Sequence, residues 1–185
     1  MIATDPDSDR MAVEIAAPKA GMRVLDACSC PGGKSFAAAI AMENRGSILA
    51  CDIHEKKLRL VRDGAQRLGI DIIETAAMDA RAFRAELAER FDTVIADVPC
   101  SGFGVIAKKP EIRSKTPESI AELPKIQGEI LDNVSKYVRP GGVLLYSTCT
   151  VTAEENENTV KAFLERNGEY TAEPFEVCGV SATDG

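Results

Sequence analysis

The first feature of the sequence that could bind a ligand is a glycine-rich turn between an apolar segment and a helical pattern. The turn consists of Cys28, Ser29, Cys30, Pro31, Gly32, Gly33 and Lys34. It lacks the spacings of the dinucleotide fingerprint and of the P-loop, which disfavours a nucleotide-dependent dehydrogenase and nucleoside triphosphate binding. Adjacent glycines let a ligand approach the backbone, and a helix N-terminus offers N–H groups to a carboxylate. Gly32 and Gly33 alone would indicate only an ordinary turn.

Three aspartates give this turn a chemical interpretation. Asp26 lies just before it, where a carboxylate suits ammonium and sulfonium charges. Asp52 ends the next apolar segment, where a carboxylate can accept hydrogen bonds from both ribose hydroxyls. Asp79 lies beyond a third apolar segment and would face the exocyclic amine of adenine. A nucleoside with a carboxylate and no phosphate satisfies these groups, so the residues predict S-adenosylmethionine as the cofactor.

Two of the six cysteines stand in unusual contexts. Cys100 ends the stretch Asp97-Val98-Pro99-Cys100, and Cys149 lies in Ser147-Thr148-Cys149-Thr150. Without a Cys-x-x-Cys pair and with a single histidine, the chain fits neither a disulfide framework nor a zinc site, so we expect reduced thiols and no metal. Either cysteine alone is compatible with a small buried thiol. That explanation is poor for both together, because each follows an apolar segment of the predicted sheet.

The elements that would position these residues alternate along the chain. Apolar segments predict strands at 23–25, 47–51, 70–73, 91–96 and 142–147, and amphipathic patterns predict helices at 34–43, 55–68, 80–89, 120–137 and 153–166. This alternation is typical of an α/β fold with a doubly wound, mostly parallel sheet. Thr152 and Glu155 predict a capping box for the last helix, and residues 1–20 form a lead-in segment.

The chemically distinctive residues fall where the predicted strands end. Ligands of an open parallel sheet bind beyond the carboxyl ends of its strands. Asp26, Asp52 and Asp97 follow the first, second and fourth strands, Asp79 lies past the third, and Cys149 follows the fifth. Acidic residues are common in loops, which would explain one or two of these positions. It does not explain an acidic residue after each of four predicted strands.

Composition limits the class of protein. The 185 residues suit one domain, and 45% hydrophobic with 28% charged residues is typical of a folded soluble chain rather than a disordered one. The net charge of −7 disfavours binding of nucleic acid by bulk electrostatics alone. No apolar run approaches the roughly 20 residues that span a bilayer, and no signal peptide is recognisable. We therefore expect a cytoplasmic monomer without a membrane partner.

One segment of this acidic chain has a positive net charge. The stretch 101–119 contains several loop-forming residues and four basic ones, Lys108, Lys109, Arg113 and Lys115, offset by Glu111. It predicts a long functional loop with a route to phosphates, although a solvated charged face would have the same composition.

Several motifs together resemble one family of enzymes. The Pro-Cys and Thr-Cys motifs around Cys100 and Cys149, the segment Glu154-Glu155-Asn156-Glu157, and the stretches 66–70, 109–112 and 123–127 are similar to those of the RNA (cytosine-5) methyltransferases of the Sun/Fmu family. The resemblance covers nearly the whole chain. It implies a Rossmann-like methyltransferase fold, S-adenosylmethionine as methyl donor and a cytosine in RNA as substrate, most naturally in small-subunit ribosomal RNA.

The resemblance also assigns roles to three residues. Cys149 would attack C6 of the cytosine, since C5 is too poor a nucleophile until a thiolate has added there. Cys100 would assist removal of the C5 proton and release of the product. Asp97 would hold the N3 and amino edge of the base and contact the cofactor. The roles of the two thiols could also be reversed, because DNA cytosine-5 methyltransferases use the Pro-Cys cysteine as nucleophile.

The sequence departs from the family at several places. The turn has Cys28-Ser29-Cys30-Pro31 where Cys-Ala-Ala-Pro is usual, and Ser114 replaces a common aromatic residue. Full-length relatives have an N-terminal RNA-binding region, and their final strand lies beyond a Thr-Asp-Gly like 183–185. We therefore expect residues 1–185 to be a catalytic-domain fragment whose sheet could lack its last strand. Two functions remain open: an RNA cytosine methyltransferase, and a domain that binds S-adenosylmethionine without productive RNA methylation.

Overall fold

A five-stranded parallel sheet forms the centre of the computed structural model, which describes residues 6–107, 110–177 and 180–182. Its strands are β1 (Arg23–Asp26), β2 (Ser47–Asp52), β3 (Ile73–Ala77), β4 (Phe91–Asp97) and β5 (Val138–Ser147). They lie in the order β3-β2-β1-β4-β5, and every pairing is parallel. The direction of winding reverses between β1 and β4, so the predicted doubly wound fold is confirmed and this gap is its switch point.

Helices cover both faces of the sheet. They are α1 (Pro6–Ala16), α2 (Gly33–Ala41), α3 (Glu55–Leu68), α4 (Pro117–Ala121), α5 (Leu123–Val134) and α6 (Glu157–Arg166). Ile95 of β4 packs in a core with α1, α2 and α3, whereas Val94 and Ala96 pack in a second core with α5 and α6. Successive strand residues enter different cores because side chains alternate across a sheet. No helix within the described ranges is long and apolar enough to cross a bilayer.

The helix predicted at 80–89 is wrong. A single 3₁₀ turn, Ala85–Leu87, occupies that segment. The Tyr137 hydroxyl accepts the Arg84 N–H at 2.8 Å and donates to the Ala82 carbonyl at 3.2 Å. A side chain from a distant segment thus satisfies backbone groups that a helix would pair locally.

The strand predicted at 70–73 is also wrong in its bounds, since β3 begins at Ile73. Gly69 ends α3 in the left-handed conformation with φ of 67°, and the N–H of Ile70 donates back to the Ala65 carbonyl at 2.9 Å. This is the C-terminal cap in which an apolar residue after the glycine packs against its helix. Ile70 is therefore buried as part of a helix cap.

Further differences concern the longer helices and the chain ends. The predicted helix at 120–137 is divided into α4, α5 and a 3₁₀ turn at Ser135–Tyr137. The predicted lead-in segment contains α1, and a separate antiparallel hairpin, β6 (Phe175–Val177) with β7 (Val180–Ala182), follows α6. Lys108, Lys109 and the segment 183–185 lie outside the described residues.

The capping box predicted for the last helix is wrong as well. Helix α6 begins at Glu157, with Asn156 at its N-cap. The Glu155 carboxylate accepts a hydrogen bond from the Thr152 hydroxyl at 3.0 Å and lies in the protein interior. The pattern that predicted a helix start therefore belongs to a buried network.

Candidate active site

Two loops meet beyond the adjacent strands β4 and β5. Asp97 of β4 pairs in register with Ser147 of β5, and the N–H of Val98 donates to the Ser147 carbonyl at 3.1 Å beyond the last strand pair. Parallel strands in register end at the same edge, so the Pro-Cys and Thr-Cys motifs emerge side by side. The sheet thus brings together Cys100 and Cys149, which are far apart in sequence.

The two thiols are in direct contact. The Sγ atoms of Cys100 and Cys149 lie 2.9 Å apart, and the N–H of Cys149 donates to Cys100 Sγ at 3.2 Å. The side-chain hydrogen bond with Cys149, followed by burial, raises the pKa of Cys100 well above its usual value. Cys100 is therefore a protonated thiol at neutral pH, placed to act on whatever bonds to its neighbour.

A cavity of about 260 Å³ opens beside the pair. Its walls are Cys100, Gly102, Val105, Glu111, Ile112, Lys115 and Cys149. Gly102 has φ of +80°, and a Cβ there would lie 2.8 Å from Ile112 Cδ1 and 3.8 Å from Cys149 Sγ. Glycine at this position satisfies the backbone conformation and keeps the space next to the thiols open.

Lys115 holds the loop that follows β4. Its ammonium donates to the carbonyl oxygens of Cys100 and Ser101, both at 2.9 Å. The structure places this exposed residue against the Pro-Cys loop, and Arg113 is exposed as well. Of the two described residues suggested to meet phosphates, Lys115 thus has an ammonium group that already donates to the Pro-Cys loop.

Asp97 is held from two sides. Its Oδ1 accepts the Ser147 hydroxyl at 2.8 Å, and its Oδ2 lies 2.8 Å from the Lys34 ammonium. Lys34 is 5% exposed and also pairs with Asp9 of α1 at 2.9 Å. Burial acts to lower the pKa of Lys34, but the carboxylates of Asp97 and Asp9 outweigh it and raise the pKa. The lysine of the predicted cofactor turn is thus a buried cation shared by two carboxylates.

Asp26, at the end of β1, is a buried carboxyl group with one oxygen unpartnered. The Ser35 hydroxyl donates to Oδ2 at 2.6 Å, while Oδ1 has no hydrogen-bond partner among the described residues. Burial raises the pKa of Asp26 to about 7, against the lowering effect of Ser35. Buried polar atoms are normally paired, so Oδ1 indicates a place where a ligand donor or cation would be stabilised.

Side chains of neighbouring helices occupy the space next to both glycines of the turn. A Cβ on Gly32, where φ is +116°, would lie 2.6 Å from the Phe36 ring, and a Cβ on Gly33 would lie 1.9 Å from Asp9 Oδ2. These contacts explain both glycines without a ligand. The Asp9 carboxylate lies at the N-terminus of α2, where the sequence predicted that a ligand carboxylate would bind.

The remaining residues of the turn follow β1 beside β2. Ser29 is buried and its N–H donates to the Cys51 carbonyl at 2.7 Å, whereas Pro31 is exposed. Cys28 and Cys30 are half-buried. Burial is the main cause that raises the pKa of both thiols, to about 11 for Cys30, so neither is a thiolate at neutral pH.

Asp52 and Asp79 lie further along the same edge of the sheet. Asp52 ends β2, and its Oδ1 accepts the His54 N–H at 2.8 Å. Asp79 follows β3 and accepts three hydrogen bonds from Arg81, of which the side-chain bonds contribute most to lowering the pKa of Asp79. Because the strand order is β3-β2-β1-β4, the four predicted aspartates form one row: Asp79, Asp52, Asp26, Asp97.

Sequence reasoning missed two residues of this region. Asp9 was hidden in the lead-in segment, and the only signal for it is its position on an amphipathic pattern before β1. Glu155 was assigned to a helix cap, although it accepts hydrogen bonds next to the thiols. Within the ranges that the structure describes, no group of three or more potential ligands could hold a metal ion.

Comparison with known proteins gives the family. A family model described as 16S rRNA methyltransferase RsmB/F matches residues 13–184. The chain belongs to this family. A probable ribosomal RNA small subunit methyltransferase B of Bacillus subtilis is 40% identical over 171 residues, which cover 91% of this chain and 38% of that protein. A ribosomal RNA small subunit methyltransferase F of Cronobacter sakazakii is 39% identical over 145 residues, 78% of this chain and 30% of the relative.

A solved structure supports the same assignment. NSun6 from Pyrococcus horikoshii, solved with SFG, superimposes with a TM-score of 0.74 at 31% identity over 85% of this chain and 40% of its own. The Rossmann-like methyltransferase fold expected from the resemblance to the Sun/Fmu family is thereby confirmed. The chain spans well under half the length of the relatives it matches.

Proposed function

We propose that this chain is the catalytic domain of an enzyme that transfers a methyl group from S-adenosylmethionine to C5 of a cytosine in RNA. The observation that carries the proposal is the contact of Cys100 and Cys149, 2.9 Å apart, in the wall of one cavity beyond β4 and β5. Membership of the RsmB/F family and the names of the relatives support ribosomal RNA of the small subunit as substrate.

The residues at the sheet edge fit the proposed methyl donor. The unpartnered Oδ1 of Asp26 is suited to an ammonium group, Asp52 to ribose hydroxyls and Asp79 to the adenine amine. S-adenosylmethionine supplies an electrophilic methyl group when it is bound. SFG, an analogue of that cofactor, accompanies the archaeal relative, which supports the same cofactor for this chain.

Cys149 starts the proposed reaction. Its sulfur bonds to C6 of the cytosine, and the thiol proton moves to N3 of the base. The N3–H then donates a hydrogen bond to Asp97. The Lys34 ammonium pairs with one oxygen of Asp97 and the Ser147 hydroxyl donates to the other, at 2.8 Å in both cases, so both oxygens of this carboxylate are held in place. C5 is then electron-rich enough to bond to the methyl group.

Cys100 completes the reaction. After methyl transfer C5 carries both a hydrogen and the new methyl group, so the proton must leave before the C6–S bond breaks and its electrons return to Cys149. The largest cause of the raised pKa of Cys100 is its hydrogen bond with Cys149. Because that bond is lost once the Cys149 sulfur has bonded to C6, the Cys100 thiol then loses its own proton to solvent more easily, and the resulting thiolate accepts the C5 proton. As the C6–S bond breaks, the proton on N3 returns to the Cys149 sulfur, so one proton in all is released to solvent.

One experiment tests the proposal directly. The chain is incubated with deproteinised small-subunit RNA and S-adenosylmethionine labelled in its methyl group, and the labelled nucleotide is isolated and mapped. We expect 5-methylcytosine at a defined position, and none with Cys149→Ala. Label on another atom would contradict the cytosine-5 assignment. Calorimetric binding of the cofactor without any transfer would favour the second function, a cofactor-binding domain, which the net charge of −7 also favours.

A further inference from the structure

Glu155 is a carboxylate in the protein interior, with 1% of its surface exposed. Its Oε2 accepts hydrogen bonds from the backbone N–H of Ser101 at 2.9 Å and from Nε2 of Gln127 at 2.8 Å. Its Oε1 accepts a hydrogen bond from the Thr152 hydroxyl at 3.0 Å. Within the described part of the chain, no basic side chain forms an ion pair with it. Neutral donors from three separate segments therefore compensate the burial of this group.

The donors fix the loop that carries Cys100. Ser101 follows this cysteine and Pro99 precedes it, and Gln127 Nε2 donates to the Pro99 carbonyl at 3.0 Å as well as to Glu155. Backbone groups on both sides of Cys100 are therefore tied to one buried pair of side chains. The position of its sulfur relative to the rest of the fold depends on that pair.

The same glutamate fixes the loop that carries Cys149. Thr152 lies in the segment between this cysteine and α6, and its hydroxyl donates to Glu155. The Tyr146 hydroxyl, on β5 before the cysteine, donates to the backbone carbonyl of Glu155 at 2.6 Å. Both thiol-bearing loops thus share a single buried residue.

We propose that Glu155 is a positioning residue that sets the separation of the Cys100 and Cys149 sulfurs. The reaction it serves rests on the proposed function, but the claim itself concerns only the two thiols and is measurable without RNA. Holding reacting groups in place governs rate steeply, since a displacement of about 1 Å can cost on the order of 100-fold.

Disulfide formation with diamide measures the separation of the sulfurs. The two thiols lose two protons and two electrons, which reduce the azo bond of diamide to a hydrazine, and a bond forms between the sulfurs. The rate is followed by quenching with acid, peptide digestion and mass spectrometry, which distinguishes the Cys100–Cys149 disulfide from those of other cysteines. Circular dichroism at the assay temperature shows that each variant is folded.

Three variants test the role of Glu155. Glu155→Ala removes all three side-chain hydrogen bonds and should slow the cross-link by about 10-fold or more. Glu155→Gln can accept from Ser101 and Gln127 through its carbonyl and donate to Thr152, so it should stay within about threefold of the wild type. Glu154→Ala removes the adjacent exposed carboxylate and should match the wild type.

The outcomes decide the proposal. A folded Glu155→Ala that cross-links at the wild-type rate overturns the proposal. A Glu155→Gln whose cross-linking rate falls as far as that of Glu155→Ala overturns it too. If Glu155→Ala does not fold, Gln127→Leu is used in its place, because it removes the donor to Glu155 Oε2 at similar side-chain volume. A folded Gln127→Leu that cross-links at the wild-type rate would then overturn the proposal. The absence of a Cys100–Cys149 disulfide in the wild type would also overturn it.

A kinetic measurement then links position to chemistry. Glu155→Ala should lower kcat for methyl transfer about as much as the cross-linking rate, with KM for S-adenosylmethionine unchanged, because Asp26, Asp52 and Asp79 lie at or just beyond the ends of other strands, β1 to β3. A role confined to stability would lower the melting temperature and leave both rates unchanged below it. Failure of the wild type to methylate RNA would count against the proposed function alone, since the cross-link is independent of it.

Discussion

The ammonium of Lys34 lies 2.8 Å from the Asp97 carboxylate, with only 5% of the lysine side chain exposed. A second carboxylate, from Asp9 of α1, lies 2.9 Å away on the same nitrogen. This bridge joins α1, the turn proposed to bind the cofactor and the end of β4. The conformation of Asp97, the residue proposed to hold the cytosine, therefore depends on a helix near the start of the sequence.

Lys34→Met should destabilise the fold. Removing the cation leaves two carboxylates close together without their partner, and breaking a buried pair in this way costs about 3–5 kcal/mol. Since Asp97 is 28% exposed, the lower part of that range is expected. Urea unfolding measures the loss, with Lys125→Met at an exposed position as control. A loss no greater than that of the control would contradict a stabilising role for the pair.

The pKa of Asp26 predicts how stability depends on pH. Burial raises this pKa from 3.8 to about 7, so between these values the folded chain keeps a proton that the unfolded chain has lost. The free energy of unfolding should fall as pH rises through this window and level off above pH 7, by up to about 4 kcal/mol at roughly 1.4 kcal/mol per pKa unit. Asp26→Asn cannot ionise, so urea unfolding at pH 5 and pH 8 should show a smaller difference. Equal differences in both proteins would exclude Asp26 as the cause.

Asp52→Ala should weaken binding of S-adenosylmethionine. Hydrogen bonds from both ribose hydroxyls to a carboxylate are worth about 1.5–3 kcal/mol, a loss of at least 10-fold in affinity. Isothermal titration calorimetry measures it. Asp63→Ala, an exposed aspartate of α3 that pairs with Arg59, is a matched control with no expected effect. Unchanged affinity in Asp52→Ala would contradict the assignment.

The two thiols should give opposite results when each is removed. Cys149→Ala should abolish both methylation and any covalent protein–RNA adduct, because no thiolate is left to bond to C6. Cys100→Ala should permit attack and methyl transfer but slow the release of product, so an adduct should accumulate. Denaturing gels of each variant with RNA and S-adenosylmethionine report both results. An adduct with Cys149→Ala and none with Cys100→Ala would reverse the two roles.

Elements with strong local signals were predicted well. The helix at 55–68 has the predicted bounds, and β1, β2 and β4 each differ from the prediction by one residue. Periodicity, glycine after a helix and apolar runs act between near neighbours, so they can be read from the chain. The segment 80–89 failed because Tyr137, from a distant part of the chain, satisfies its backbone groups.

The order of residues along the chain is enough to show which of them follow each strand. Parallel strands present their carboxyl ends at one edge, so Asp26, Asp52, Asp79 and Asp97 could be assigned to a single row before any contact was known. The doubly wound topology followed from the same alternation of strands and helices. These inferences need only the order of elements along the chain.

How the side chains of that edge meet depends on the folded arrangement of the whole chain. The contact of Cys100 with Cys149, the sharing of Lys34 by Asp9 and Asp97, and the burial of Glu155 each join segments far apart in sequence. Such contacts depend on strand register, helix packing and the desolvation of particular atoms. A local pattern carries no information about these, and for that reason Thr152 and Glu155 predicted a helix cap where the folded chain has a buried carboxylate beside two thiols.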